Sequence, residues 1–274
     1  MSAPASGAPP WLTIVGCLPN GALAPTAPPD ALAVEAVFGA ARLLAAAGVP
    51  AERARPWPRP FADGIEQLVA RRGRPTAVLA SGDPLHHGVA TTLLAHLAPE
   101  EMAVHPAPSA FSLAAAAMRW PLEDAVTLSL HNRPAEAVRG WLAPGRRLLV
   151  LTRDGDAPRA IAAAIRDAGY GASEITVLDD LGGAAASRHM AAAEALTGTF
   201  GPLNTLAVAC VRARPVSVAD LDHDGCVTRD EIRRLTIAAL GEGAGHLWDI
   251  GAGSGAVSID WCRAGGTASL FERE

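Results

Sequence analysis

The chain has 274 residues, half of them hydrophobic, so a buried core is within reach and the length accommodates two compact domains. A formal net charge of −5 and a pI near 5.9 leave no basic footprint for nucleic acid or anionic lipid. All 23 basic residues are arginine, which excludes a Schiff-base lysine and the lysine of a phosphate-binding P-loop.

Residues 1–10, MSAPASGAPP, carry no basic residue and no apolar stretch and read as a disordered lead-in. WLTIVG, Trp11–Gly16, is a β-rich run ended by glycine. After a Pro/Gly-rich loop, ALAVEAVFGAARLLAAAG predicts one helix over Ala31–Gly48. A helix around Gly64–Arg72 then leads into the strand TAVLAS, Thr76–Ser81, the loop GDPLHHG and a helix over Val89–Leu97. MAVHPAPS gives a short strand and a turn, and Ser109 is placed as the N-cap of a helix reaching Trp120. Strands alternating with helices imply an α/β class with a largely parallel sheet, here an N-terminal domain over 11–121.

Pro121 breaks the pattern, and a second α/β domain is expected over 122–213. It holds the strand AVTLSL from Ala125, the strand Arg146–Thr152, a helix over Pro158–Ala168, the strand SEITVLDDL and a last strand, Asn204–Ala213. The remaining 214–274 read as a turn, a helix over Arg229–Leu240, the strand His246–Ile250, a glycine loop, a helix and the strand TASLF. Cys17, Cys210, Cys226 and Cys262 form no Cys-x-x-Cys pair, so neither a zinc knuckle nor a disulfide framework is indicated, and a cytoplasmic setting fits. No apolar run is long enough to span a bilayer.

DLDHDGCVTRDE, Asp220–Glu231, has the ligand spacing of a calcium loop: Asp220, Asp222, Asp224, Gly225 and Glu231. A calcium hand needs a helix on each side, and the segment before it is strand-like and broken by Pro215. The same residues also read as a turn followed by a capping box, Thr228 with Glu231, opening the helix that carries Ile232, Leu235 and Leu240. We expect the turn and cap, and no metal.

Two loops carry the chemistry. Asp249, Gly251, Gly253 and Gly255 lie between a strand and a helix, with Glu272 closing the next strand, the order of an S-adenosylmethionine-type Rossmann site. SGDPLHHG, Ser81–Gly88, follows a strand of the first domain, where ligands bind in open α/β sheets. There Gly82 lets the backbone approach a ligand, Pro84 stiffens the turn and Asp83 offers a carboxylate; a plain turn is the competing reading.

SGDPLHHG, PAPSAFSLAAA, SLHNR, LTRDGDAPRAIAAAIRDAGYG and LNTLAVA together resemble, in order, the tetrapyrrole methylases that act on carbon 5 of precorrins. HDGCVTRDEIRRLTIAALGEGAGHLWDIGAGSG resembles the start of the decarboxylating carbon-15 methyltransferases. Fused in this order, the two are similar to the precorrin-6Y C(5,15)-methyltransferases (decarboxylating) of cobalamin biosynthesis. The resemblance implies a two-domain tetrapyrrole-methylase fold with S-adenosylmethionine between the domains, plus the first part of a Rossmann-like methyltransferase domain. It implies that Gly82, Asp83 and His86 line the cofactor, that Ser109 and Ala110 meet it from the next loop, and that His131 and Gly155 approach from the second domain. Arg133 and Arg153 are the expected partners of the substrate's carboxylate arms. A cytoplasmic homodimer acting on a small tetrapyrrole, with no nucleic acid or membrane partner, completes the expectation. The loop Gly16–Gly21 is poorer in glycine and acid than the family's usual start. The carbon-15 segment reaches about two strands into its sheet, so it is expected to be loosely ordered or held against the N-terminal domains, with only the carbon-5 methyl installed.

Overall fold

The computed structural model describes residues 9–212, 228–241 and 245–273. The chain divides into two units, residues 1–213 and 214–274. The first unit contains two five-stranded sheets.

The first sheet runs β3-β2-β4-β1-β5 and is parallel throughout. Its strands are β1 (Leu12–Cys17), β2 (Ala36–Gly39), β3 (Ala54–Pro56), β4 (Thr76–Ser81) and β5 (Met102–His105). Side chains alternate between its faces. Leu12, Ile14, Ala36, Phe38 and Val78 pack with Ile65 and Leu68 of α2 (Phe61–Val69) and with Ala90 and Leu93 of α3 (Val89–Leu93). Val15, Cys17, Val37, Ala77 and Leu79 face Leu43 and Leu44 of α1 (Ala41–Ala46).

The single helix expected over 31–48 is corrected to strand β2 followed by α1. β2 lies between β3 and β4 with all four residues buried, so both faces are apolar and the polar alternation that marks a strand is missing.

The second sheet runs β6-β7-β10-β8-β9, from β6 (Ala125–Ser129), β7 (Arg147–Leu151), β8 (Glu174–Asp179), β9 (Ser187–Ala192) and β10 (Asn204–Ala209). Only the β6–β7 pair is parallel; β7–β10, β10–β8 and β8–β9 are antiparallel, so the expected second α/β domain is built on a mixed sheet. Here β8, β9 and β10 follow one another without an intervening helix, so they return as antiparallel neighbours. One face packs on α5 (Ala157–Ile165) through Leu148, Val150, Ile161 and Ile165. The other, Leu149, Leu178 and Ala207, packs on Phe111, Ala114 and Ala115 of α4 (Ala110–Met118). Helix α4 leaves the first sheet and covers the second, so one apolar helix ties the two halves of the unit together. Its start is as expected: Ser109 is the N-cap and accepts from the Ser112 N–H at 3.1 Å.

The second unit holds α6 (Asp230–Leu240), β11 (His246–Ile250), α7 (Ala256–Arg263) and β12 (Thr267–Phe271), with β11 and β12 parallel. The expected capping box is corrected. Arg229 is the N-cap of α6 with no side-chain cap bond, and Thr228 instead presents its carbonyl to Arg233 Nη1 at 2.6 Å. Buried Arg233 also binds Asp230 at 2.6 Å and Asp260 of α7, so its guanidinium organises this helix start. The calcium-like stretch, apart from Thr228–Glu231, lies outside the described residues. No helix among the described residues is long and apolar enough to cross a membrane.

Candidate functional site

In the first sheet the loops after β1, β4 and β5 meet at their C-terminal ends. A Cβ on Gly16 would lie 2.2 Å from the Gly82 carbonyl oxygen and 2.5 Å from the Ala107 nitrogen, so only glycine permits this junction. The Gly82 N–H donates to the Cys17 carbonyl at 3.0 Å, and the Ala107 N–H donates to the Gly82 carbonyl at 3.3 Å. Gly82 itself has φ +64° and passes so close to Ser109 that an added Cβ would sit 3.1 Å from its Cα. Gly82, Ser109 and Ala110 are therefore brought together, beside the N-terminus of α4.

Asp83 turns the SGDP loop by accepting the Leu85 N–H on Oδ1 at 2.8 Å, which leaves its other oxygen for a ligand. The His86 ring lies 4.5 Å from the Phe111 ring, and its Nε2 is 3.4 Å from Thr127 Oγ1 on β6, so this loop reaches the second sheet. His87 stacks on His86 at 5.5 Å and adopts a left-handed φ of +56°. Burial, together with the charges of His86 and Arg133, holds the His87 imidazole below its ordinary pKa of 6.5. At the end of β1, burial pushes the Cys17 thiol up to about 11 despite the nearby Arg42, so it stays protonated and is no nucleophile.

A second network builds the facing loops from the ends of β6, β7 and β10. His131 Nδ1 lies 3.2 Å from the Thr152 carbonyl, which accepts from it in the tautomer that carries the proton on Nδ1. The Thr152 hydroxyl donates to Asn204 Oδ1 at 2.6 Å, and Asn204 Nδ2 donates to the carbonyls of Gly201 at 2.7 Å and Asp154 at 3.1 Å. Gly155 is pressed against the Phe200 carbonyl, where a Cβ would come within 2.3 Å. His131 and Gly155 thus belong to one rigid edge, which opposes the first cluster through His86–Thr127 and through the 179–186 loop: a Cβ on Gly182 would touch Pro19 Cγ at 2.9 Å.

The two arginines differ. Arg153 is already paired with its neighbour Asp154 at 2.9 Å, a bond that lowers the Asp154 pKa. Arg133 is exposed in the turn after β6, and its charge is felt at His87. His87, Phe111 and Asn204 were not singled out from the sequence. The histidine doublet was visible, whereas the Asn204 side-chain network has no local sequence signal.

In the second unit the glycine loop curls against β12. Gly251, Gly253 and Gly255 all have positive φ, and the Gly253 N–H donates to Glu272 Oε2 at 2.6 Å. Asp249 Oδ2 accepts from the Ser258 hydroxyl at 2.5 Å. The Glu272 carboxylate thus already holds the glycine loop at Gly253, whereas Asp249 is tied to Ser258 of α7.

Comparison with known proteins is consistent across sequence and fold. The family described as Tetrapyrrole (Corrin/Porphyrin) Methylases matches residues 34–193, and a Precorrin methyltransferase domain matches residues 219–274. The Precorrin-6Y C(5,15)-methyltransferase [decarboxylating] of Sinorhizobium sp is 40% identical over 97% of this chain, which spans 68% of that relative's length. Among solved structures, the precorrin-6Y methylase of Archaeoglobus fulgidus shares the fold with a TM-score of 0.54 at 21% identity, covering 75% of this chain and 99% of its own. The uroporphyrin-III C-methyl transferase of Thermus thermophilus, solved with S-adenyl homocysteine, has a TM-score of 0.52 at 17% identity, covering 72% of this chain and 96% of its own.

Proposed function

The chain belongs to the tetrapyrrole (corrin/porphyrin) methylases, and from that premise we propose that it methylates carbon 5 of a precorrin in cobalamin biosynthesis, with S-adenosylmethionine as donor. Precorrin-6Y or cobalt-precorrin-7 is the substrate in this reading. The observation that carries it is the Gly16–Gly82–Ala107 junction, a backbone cradle with no room for a Cβ, set opposite the His131–Thr152–Asn204 edge. The residues fit a polar cofactor: backbone without a side chain at Gly82, a small side chain at Ala110, a carboxylate on Asp83 and ring nitrogens on His86 and His131.

Gly82, Asp83, His86, Ser109 and Ala110 hold the cofactor from the first sheet, and His131 and Gly155 hold it from the second. When bound, the cofactor supplies an electrophilic methyl group on a sulfonium. The chain's own contribution is alignment and exclusion of water, because an electron-rich ring carbon needs little acid–base assistance to attack. Arg133 grips an acetate or propionate arm of the macrocycle. Arg153, neutralised by Asp154, is the weaker of the two expected clamps. Asp249, Gly251, Gly253, Gly255 and Glu272 make up a second cofactor motif in the segment that resembles the carbon-15 enzymes. The family resemblance alone supports a cytoplasmic homodimer.

Incubation with methyl-labelled S-adenosylmethionine and carbon-5-unmethylated precorrins tests the reading. The expected product carries a labelled methyl at carbon 5. Absence of label in every precorrin offered would overturn it.

A further inference from the structure

His87 is not among the residues assigned to the cofactor or the substrate, yet its placement is unusual. It follows β4 in the SGDPLHHG loop, and its φ of +56° is a conformation that non-glycine residues adopt uncommonly and that often marks a functional site. Its ring lies beside the His86–Phe111 pair, 5.5 Å from His86 and 5.7 Å from Phe111. The charge of Arg133, in the turn after β6, also acts on it. A plain connecting loop needs no imidazole at such a position.

The reaction itself requires a proton acceptor. When methyl replaces hydrogen on a ring carbon, a C–C bond forms from a ring electron pair, and the S–C bond of the donor breaks with its pair remaining on sulfur. The macrocycle is then one charge more positive. It returns to its neutral, conjugated form when the C–H pair at the methylated position goes back into the ring and the proton leaves. No carboxylate was assigned to collect it.

We propose that His87 is the base that takes this proton from the methylated macrocycle and passes it to solvent. The inference rests on the methyl-transfer reading above. His87 is exposed on one side, so the proton has an exit. The groups facing it are His86 from its own loop, Arg133 from the opposite sheet and the apolar Phe111 from α4. None of them is an anion that would hold the imidazole protonated. Burial first, then the His86 and Arg133 charges, lowers its pKa, so the neutral, accepting form predominates at pH 7. The Arg133 charge that acts on the base belongs to the residue proposed to grip a substrate arm.

The test compares the whole chain with His87→Asn, which tolerates the left-handed backbone and keeps the loop. Steady-state methylation of the precorrin should fall by about a hundredfold, the scale of a lost general base. Calorimetric affinity for S-adenosylhomocysteine should stay within about twofold, and added imidazole should restore turnover. In the wild type the rate should fall as pH drops through a value below 6.5, because the acceptor becomes protonated, and that limb should vanish in the variant. A readout independent of activity is the imidazole titration by NMR: the His87 resonance, identified by its loss in His87→Asn, should titrate below 6.5 and move upward in Arg133→Ala. Unchanged turnover in His87→Asn, or a His87 titration above 6.5, would overturn the proposal while leaving methyl transfer intact. A wild-type chain that methylates no precorrin would overturn both.

Discussion

Substituting alanine for Gly16 sets two physical effects against each other. Alanine restricts the unfolded chain more than glycine does, which taken alone stabilises by about 0.4–1 kcal/mol. In the folded chain the new Cβ would lie 2.2 Å from the Gly82 carbonyl oxygen, more than 1 Å inside ordinary contact, and 2.5 Å from the Ala107 nitrogen. Both are backbone atoms fixed by neighbouring strands, so relief means spreading the loops apart. That strains or breaks the Ala107–Gly82 and Gly82–Cys17 hydrogen bonds, at about 0.5–1.5 kcal/mol each, on top of overpacking at about 1–3 kcal/mol. The net expectation is a loss of about 2–4 kcal/mol, or roughly 5–15 °C in the melting of the first unit. Because the same junction is the proposed cofactor cradle, affinity for S-adenosylhomocysteine is expected to fall with it. Thermal unfolding and calorimetry read both, and a melting temperature equal to or above that of the wild type would refute the reasoning.

Other substitutions probe separate parts of the account. Thr176 is fully buried in β8 with a hydroxyl that has no partner among the described residues, so Thr176→Val should raise stability by about 1 kcal/mol in urea unfolding. Buried Glu101 accepts from Trp11 Nε1 at 2.9 Å, from the Ala98 N–H at 3.0 Å and from Arg72 at 2.8 Å. Burial raises its pKa, but these donors outweigh burial and the net shift is downward. Its contribution is therefore present above its ordinary value of 4.5 and lost as pH falls through the lower folded value. Glu101→Gln should cost about 1.5–3 kcal/mol at pH 7 and flatten the fall in stability as pH drops below 4.5. Arg133→Ala should raise KM for the precorrin by about tenfold or more without weakening S-adenosylhomocysteine, whereas Arg153→Ala should do much less, because Asp154 already neutralises it.

Much of the first unit was legible because its signals are local. The runs of β1 and β4, the Ser109 cap and the SGDPLHHG loop each announce themselves within a few residues. β2 was not legible, because a strand buried on both faces loses the alternation that separates it from an alanine-rich helix. β9, SRHMAA, is a largely exposed edge strand whose polar residues read as loop, and without it the antiparallel return of β8 and β10 could not be inferred. At α6, Thr228 and Glu231 had the right spacing for a capping box, yet Arg233, drawn in by two aspartates, claimed the Thr228 carbonyl. Spacing also could not reveal that Arg153 would pair with its neighbour, or that the left-handed turn at His87 would set its ring beside Phe111.

The central claim is that the cofactor sits against the loops of both sheets in the first unit. Hydrogen–deuterium exchange with and without S-adenosylhomocysteine tests it most directly. The account predicts added protection at 82–88 and 107–112 from the first sheet and at 129–133 and 152–156 from the second. Binding that leaves those four segments unprotected, with any change confined to 249–255, would contradict it.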